Sequence, residues 1–390
     1  MKTHRVGFAL AVAGAVLALA SPSLADGTPP PWTPDKTDDP STIGNTLSGV
    51  TAVSHTDAWT VGWYDDVFTP ANGRDMLIER WNGTAWTRVS TPDMPGSDEG
   101  LLAVSASSAN EVWAVGFTDP TGTSVRDPLA MRWDGTAWTV VPTSVSGNGP
   151  GSGLYGVVSL GRTNAWAVGD LGRLPLGALI EHWDGISWSP VPSPKSATVG
   201  LMRLRAISAV SPTDIWAVGE IRGAVVGPLG PQIRHTTLVE HYDGTAWSIV
   251  PSPNAGNSNG EFNGVVAVGS DDVWAVGDDM AGATLVEHWN GTAWSIVPSP
   301  NALAQDTLQA VTATSPTDVW AVGQAVDGSG VARSLTLHWD GAAWSVVPSP
   351  NGPTGAATTL LGAGAVPASG EVLAVGDTGT APVDTFAIHR

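Results

Sequence analysis

The stretch Asp57-Ala58-Trp59-Thr60-Val61-Gly62, followed by Trp81-Asn82-Gly83-Thr84-Ala85-Trp86, decides how this chain is read. The first phrase is a short aromatic and β-branched run that stops at a glycine, as a strand does. The second sets Asn-Gly between two tryptophans, and that dipeptide supplies the positive-φ residues of a tight hairpin turn. Both phrases return. The first recurs around Trp113, Trp166, Trp216, Trp274 and Trp320, and a seventh copy, Glu371-Val372-Leu373-Ala374-Val375-Gly376, carries leucine in place of tryptophan. The second recurs at Trp133, Trp183, Tyr242, Trp289 and Trp339, each with Gly two residues on and Trp five residues on. Successive copies lie 52, 50, 59, 47 and 50 residues apart.

Outward from these phrases, each unit reads as four short strands. The first is a run such as Leu308-Gln309-Ala310-Val311, and the second is the Asp-Val-Trp-Ala-Val-Gly phrase. Thr284-Leu285-Val286-Glu287-His288-Trp289 exemplifies the third and Trp294-Ser295-Ile296-Val297 the fourth. Prolines such as Pro298 and Pro300 then end the fourth strand, because they cannot donate to a ladder. Repeated four-stranded units of about 40–50 residues predict a β-propeller. A β-solenoid fits less well, since its repeats are shorter and lack paired tryptophans at hairpin spacing.

The two ends give the number of blades. The last unit supplies Leu360-Leu361-Gly362-Ala363, the Leu373 phrase and Asp384-Thr385-Phe386-Ala387-Ile388-His389, with no fourth strand after it. Near the amino terminus, Pro31-Trp32-Thr33-Pro34 has the form of a fourth strand without a hairpin before it, in the register of Trp188-Ser189-Pro190. The expected fold is all-β: a seven-bladed β-propeller of four-stranded antiparallel blades, the last closed by N- and C-terminal strands.

Residues 1–25 read as a signal peptide and 26–390 as the propeller domain. Lys2, His4 and Arg5 precede the apolar run from Val6 to Ala20, and Ser23-Leu24-Ala25 offers a small-residue cleavage site. A secreted protein is therefore expected, without membrane insertion after cleavage, and a monomer. The bias of three lysines against fourteen arginines, with much Ala, Gly and Val, is what a high-GC bacterium writes.

Composition narrows the functions. The chain has 390 residues with 47 Gly, 30 Pro, 19 Trp and no Cys, so thiolate metal sites, iron–sulfur clusters and a cysteine nucleophile are excluded. A formal net charge of -19 argues against nucleic acid, whose binders present a basic face. No cofactor and no metal is expected. No HExxH, GxSxG, P-loop or dinucleotide fingerprint occurs, so the expectation is a binding protein and not an enzyme. Oxygen-rich loops could hold calcium, but no D-x-D-x-D-G run occurs, and a solvated acidic rim of Asp98, Glu99, Glu261, Asp278, Asp279 and Asp306 is the expectation. Asn82-Gly83-Thr84 and Asn290-Gly291-Thr292 are formal glycosylation sequons that coincide with repeat hairpins and read as turns.

Repeated residues read as scaffold. The in-frame tryptophans are expected to pack between blades. One basic residue per unit (Arg80, Arg132, His182, His241, His288, His338, His389) and one acid or amide (Asp57, Glu111, Asn164, Asp214, Asp272, Asp318, Glu371) are expected to tie strands together. A catalytic group is needed once, not once per blade.

Function is then sought where the units differ. The links from second to third strand and from each fourth strand to the next unit vary, and in a meander both emerge on one face. Trp63 is the only tryptophan outside the repeat frame, and it opens Trp63-Tyr64-Asp65-Asp66-Val67-Phe68. With Phe117 and Tyr155 from the next two units, it predicts an aromatic cluster at one side of the mouth. Flat rings beside carboxylates suit a sugar. The second residue of the first strand also varies (Ser48, Leu102, Tyr155, Arg205, Asn263, Gln309, Leu361), which predicts an asymmetric central site. The candidate ligand-binding residues are Trp63, Tyr64, Asp65, Asp66, Phe68, Phe117, Tyr155 and Arg205.

These phrases, spread over nearly the whole mature chain, resemble those of secreted bacterial seven-bladed propellers in the style of kelch and galactose-oxidase-like proteins. The resemblance implies the fold and secretion, most such proteins lacking a defined activity. Asp-Gly-x-x-Trp is similar to the sialidase Asp-box but departs from it, because Asp and Gly adjoin, and no arginine triad maps onto this sequence. Copper oxidase chemistry is not implied either, as the cysteine its cofactor needs is absent. The partner expected first is a carbohydrate or cell-wall glycan, then an extracellular protein bound by an inhibitor or adhesin. A polysaccharide lyase or glycoside hydrolase using loop carboxylates, Arg205 and Tyr155 is the third reading.

Overall fold

The structure is a computed structural model that describes residues 32–66, 73–92, 94, 98–119, 125–145, 151–172, 177–196, 200–227, 230–253, 259–353, 355–379 and 382–390. Residues 1–25, read above as a signal peptide, lie outside the described residues. Among them the chain forms seven four-stranded antiparallel sheets, and no helix is long and apolar enough to cross a membrane. Blade one is representative: Asn45–Ser54, Asp57–Asp65, Arg74–Trp81 and Trp86–Arg88, hydrogen-bonded in that order. Blades two to six repeat the order. The first strands are longer than their apolar centres suggest, as Gln305–Ser315 shows against Leu308–Val311, because flanking polar residues also join the ladder.

Blade seven is closed as the two ends of the sequence predict. Its inner strands are Thr358–Ala365, Val372–Gly379 and Val383–His389, and its outer strand is Thr33–Pro34, paired through Thr33 with His389 and Pro34 with Ile388. Trp32 is fully buried there, edge-on to Trp320 of blade six at 5.5 Å.

The seams follow one rule. Trp59, Trp113, Trp166, Trp216 and Trp274, on second strands, each meet two rings of the next blade, one ending its third strand and one opening its fourth. Centroid separations run from 4.8 to 5.7 Å. Burying an indole contributes about 4–6 kcal/mol by area, and this offsets the ordering of a glycine- and proline-rich chain at about 1–2 kcal/mol per residue.

The recurring basic and acidic residues pair within each blade. Arg80 donates to Asp57 at 2.7 Å, Arg132 to Glu111 at 2.6 Å, His182 to Asn164 at 3.0 Å, and His241, His288 and His338 to Asp214, Asp272 and Asp318 at 2.7–2.8 Å. These histidines also lie against the second-strand indole, as His241 does on Trp216 at 4.1 Å. Blade seven departs from the pattern. His389 donates to Asp35 on the N-terminal segment at 2.7 Å, and Glu371 turns to His55 of blade one at 2.7 Å.

Glu79, Glu181, Glu240 and Glu287 sit fully buried in third strands. Glu79 accepts from Asp38 N at 2.8 Å, Glu181 from Ser144, and Glu240 from Ser193 Oγ at 2.9 Å, each donor lying on the link from the preceding blade. Burial pushes Glu79, Glu240 and Glu287 up to about 8.

Candidate functional site

Every first strand carries a bulge at the same place. Register slips between Leu47 and Gly49 in blade one, and at the matching positions of the other six blades. A bulge leaves one residue outside the ladder and re-aims its side chain. The seven residues so released are Ser48, Leu102, Tyr155, Arg205, Asn263, Gln309 and Leu361, and together they line a central cavity of about 160 Å³. The glycine ending each second-strand phrase faces this bulge. A Cβ on Gly62 or Gly116 would fall on the carbonyl of Thr46 or Gly100, so only glycine lets the strands approach.

The loop face runs outward from the cavity. Trp63 lies near the end of the second strand of blade one, half-buried, and Gly100 of blade two approaches both its ring and that of Phe117. Both rings thus border Gly100. They are not open, however. Phe117 is only 2% exposed, and Arg126 stands 3.8 Å over its ring. Arg74 lies between the rings, 4.9 Å from Phe117 and 5.6 Å from Trp63, and is clamped on Asp98 through Nε and Nη2 at 2.9 Å each. The open aromatic cluster is therefore replaced by guanidinium groups stacked on rings, because two arginines with aromatic neighbours and one shared carboxylate cover them.

Tyr64 points the other way, as strand alternation requires. It donates to Asp75 Oδ2 at 3.0 Å, accepts from Arg88 at 2.7 Å and packs against the core of blades seven and one. Asp65 N donates to Gly44 O at 2.8 Å and Asp66 N to Gly73 O at 3.0 Å, which fixes the base of the loop. Phe68, on that loop, lies outside the described residues.

Tyr155 and Arg205 anchor the other side. Tyr155 donates to Gly151 O at 2.9 Å, with Arg203 5.4 Å from its ring; burial pushes the phenol up and outweighs Arg203. Arg203 is held by Asp170 at 2.8 Å. Arg205 Nη2 donates to both Glu220 Oε1 and Glu261 Oε2 at 3.0 Å, and His235 donates to Glu220. Burial opposes ionisation of Glu220, but Arg205 and His235 outweigh it and hold its pKa below the ordinary value. Burial raises Glu261 above that value. Glu220, His235 and Glu261 offer ligand atoms within 4.8 Å of one another, yet the Arg205 guanidinium already bridges the two carboxylates. The donor set fits an ion-pair network, not a metal.

The remaining acids correct the expectation of a solvated rim. Glu99, Asp278 and Asp306 are buried, and Asp306 accepts from Ala302 N and Leu303 N. Asp279 accepts from Ala281 N and Ala283 N at 2.8–2.9 Å. Asp279 and Asp306 are thus tied into the backbone of their own loops.

The loop face thus presents an arc of Trp63, Arg74, Phe117 and Arg126 leading to Tyr155, Arg203 and Arg205. Sequence reasoning missed Arg74, Arg126 and Arg203. Their signal was there as basic residues at irregular positions of a chain with few of them. Beside the arc, blade four extends its second and third strands into an arm, Asp214–Gly227 with Gly230–Tyr242. This arm accounts for the 59-residue spacing.

No protein-family model and no curated protein matches the chain. Solved structures do match it. YCF48 bound to a D1 peptide superposes with a TM-score of 0.55 at 14% identity, over 92% of this chain and 96% of its own. YCF48 from Cyanidioschyzon merolae gives 0.53 at 15% identity, over 92% and 98%. The SapL1 lectin in complex with α-methyl fucoside gives 0.50 at 14% identity, over 80% and 99%. The likeness is one of fold. At such identities it shows a propeller and leaves the ligand to the residues of this chain.

Proposed function

We propose that this protein is an exported binding propeller, not an enzyme, that holds a neutral glycan on the loop face of blades one to four. The observation that carries the reading is the charge balance of the arc. Its guanidinium groups, Arg74, Arg126, Arg203 and Arg205, are 26–30% exposed and are matched by Asp98, Asp170, Glu220 and Glu261. Such pairs fix donors and acceptors in place without net charge, as ring hydroxyls require, while Trp63 offers part of a ring face. An anionic ligand would find each guanidinium already engaged. SapL1, a propeller of similar fold, holds a fucoside, which is in keeping with this reading.

A protein ligand is the second reading, and one feature favours it. The blade-four arm carries Ile233 at 58% exposure, near Leu201 at 37%, apolar surface that a sugar does not need. YCF48, also similar in fold, holds a peptide. A glycan array on residues 26–390 separates the two. The glycan reading expects hits that Trp63→Ala or Arg126→Ala abolishes at unchanged melting temperature. A blank array at high micromolar protein sinks it. Export is tested by amino-terminal sequencing of secreted protein, expected to begin at Asp26.

A further inference from the structure

A second site lies on the opposite face, and it follows from the one seam that breaks the packing rule. In six blades a second-strand tryptophan reaches toward the next blade; blade seven offers Leu373 instead. A cavity of about 340 Å³ opens at that seam, lined by Leu373, Trp81, His389, Asp35, His55 and Glu371 among others. The volume lies at the small end of the ~300–1,000 Å³ typical of ligand pockets.

The other seams show what such a cavity is shaped to hold. In blades four and six the indole lies against a histidine, Trp216 on His241 at 4.1 Å and Trp320 on His338 at 4.2 Å. Its Nε1 donates to the acid that holds that histidine, Asp214 at 3.1 Å or Asp318 at 2.8 Å. The parts for the same arrangement stand at the seventh seam. His389 is held by Asp35, and Trp81 faces it across the seam with ring centroids 6.3 Å apart. The Asp35 side chain is 5% exposed, and one of its oxygens is engaged by His389. Its other oxygen is buried beside Trp86 Nε1. In blades four and six the oxygen that holds the histidine also accepts the indole N–H, and Asp35 Oδ1 stands in that relation to His389. Glu371, in register with Asp214 and Asp318, has turned away to His55 at the rim.

We infer that the seam between blades seven and one binds a small aromatic ring bearing an N–H donor, of the indole class, stacked by His389 and Trp81 and donating to Asp35. The inference is independent of the loop-face reading.

Titration of residues 26–390 with indole, followed by calorimetry and by melting temperature, tests it. The expected result is saturable one-to-one binding that raises the melting temperature. 1-Methylindole, which keeps the ring and loses the N–H, is expected to bind at least about tenfold more weakly, the loss of a hydrogen bond to a charged group. Leu373→Trp is expected to fill the seam, raise the melting temperature and abolish indole binding, with Leu373→Phe as the smaller filling variant. No saturable binding up to the solubility of indole overturns the inference. So does equal affinity for 1-methylindole, or binding that survives in a folded filled variant.

Discussion

The two faces of the ring join the same strands by different rules. On the hairpin face, the Asn-Gly or Asp-Gly turn of blades one to six packs against the turn between the first two strands of the same blade. The glycines there have φ between +88° and +102°, and a Cβ on Gly83, Gly185 or Gly341 would lie 2.8 Å from the methyl of Thr56, Thr163 or Thr317. The Asn82 or Asp134 side chain accepts from two backbone amides of its own turn. On the loop face no two blades agree: one holds Trp63 beside Arg74, another Arg205 between two glutamates, another an extended arm. Repetition marks a packing problem solved once and copied, and departure from it marks where we propose that the chain meets other molecules.

The strongest way to break this contrast is to open the ring. Deleting residues 26–40 removes Trp32 and the strand paired with His389, and a collapse of the melting transition is expected in differential scanning calorimetry. An unchanged melting curve would mean that closure is not structural. Next in size is Trp113→Ala, which empties a seam filled by Trp183 and Trp188 and is expected to cost about 3–5 kcal/mol in denaturant unfolding. Gly185→Ala on the hairpin face is expected to cost about 1–2 kcal/mol, since its φ of +98° is strained for a side chain. Arg126→Ala on the loop face is expected to change stability by less than about 1 kcal/mol, as a partly exposed ion pair does. A loop-face variant as damaging as Trp113→Ala would erase the distinction.

The scaffold also carries a pH signature. Because burial raises Glu79, Glu240 and Glu287 to about 8 in the folded chain, their neutral form belongs to the fold. The unfolded chain binds fewer protons above about pH 4.5, so this stability is complete below that value and is lost as pH rises through about 8. Melting temperature is expected to fall from about pH 5 to about pH 9, and Glu240→Gln to flatten the fall.

The scaffold was legible because each of its residues appears six or seven times in one register. The Trp-to-Trp hairpin spacing gave the blades, and Trp32 with His389 gave the closure. The bulge residues Tyr155 and Arg205 were legible too, since the second residue of the Leu-x-Ala/Gly-Val run varies from blade to blade and is the one freed from the ladder. What was hidden depends on distances that no repeat encodes. Phe117 looks available in sequence and is covered by Arg126, which stands just before the next strand of the same blade. Asp306 looks like a surface acid and is buried by its own turn. Glu371 keeps the register of its counterparts yet turns to another blade, because Asp35 has taken His389.

We propose that a glycan is held by the irregular loop face and that the repeated hairpins support the ring. The most direct test is the affinity of the strongest array glycan for residues 26–390, for Trp63→Ala and Arg126→Ala, and for Gly185→Ala below its melting temperature. The two loop-face variants should lose binding by tenfold or more while Gly185→Ala retains it. Binding that survives both loop-face changes and falls with Gly185→Ala would contradict the account.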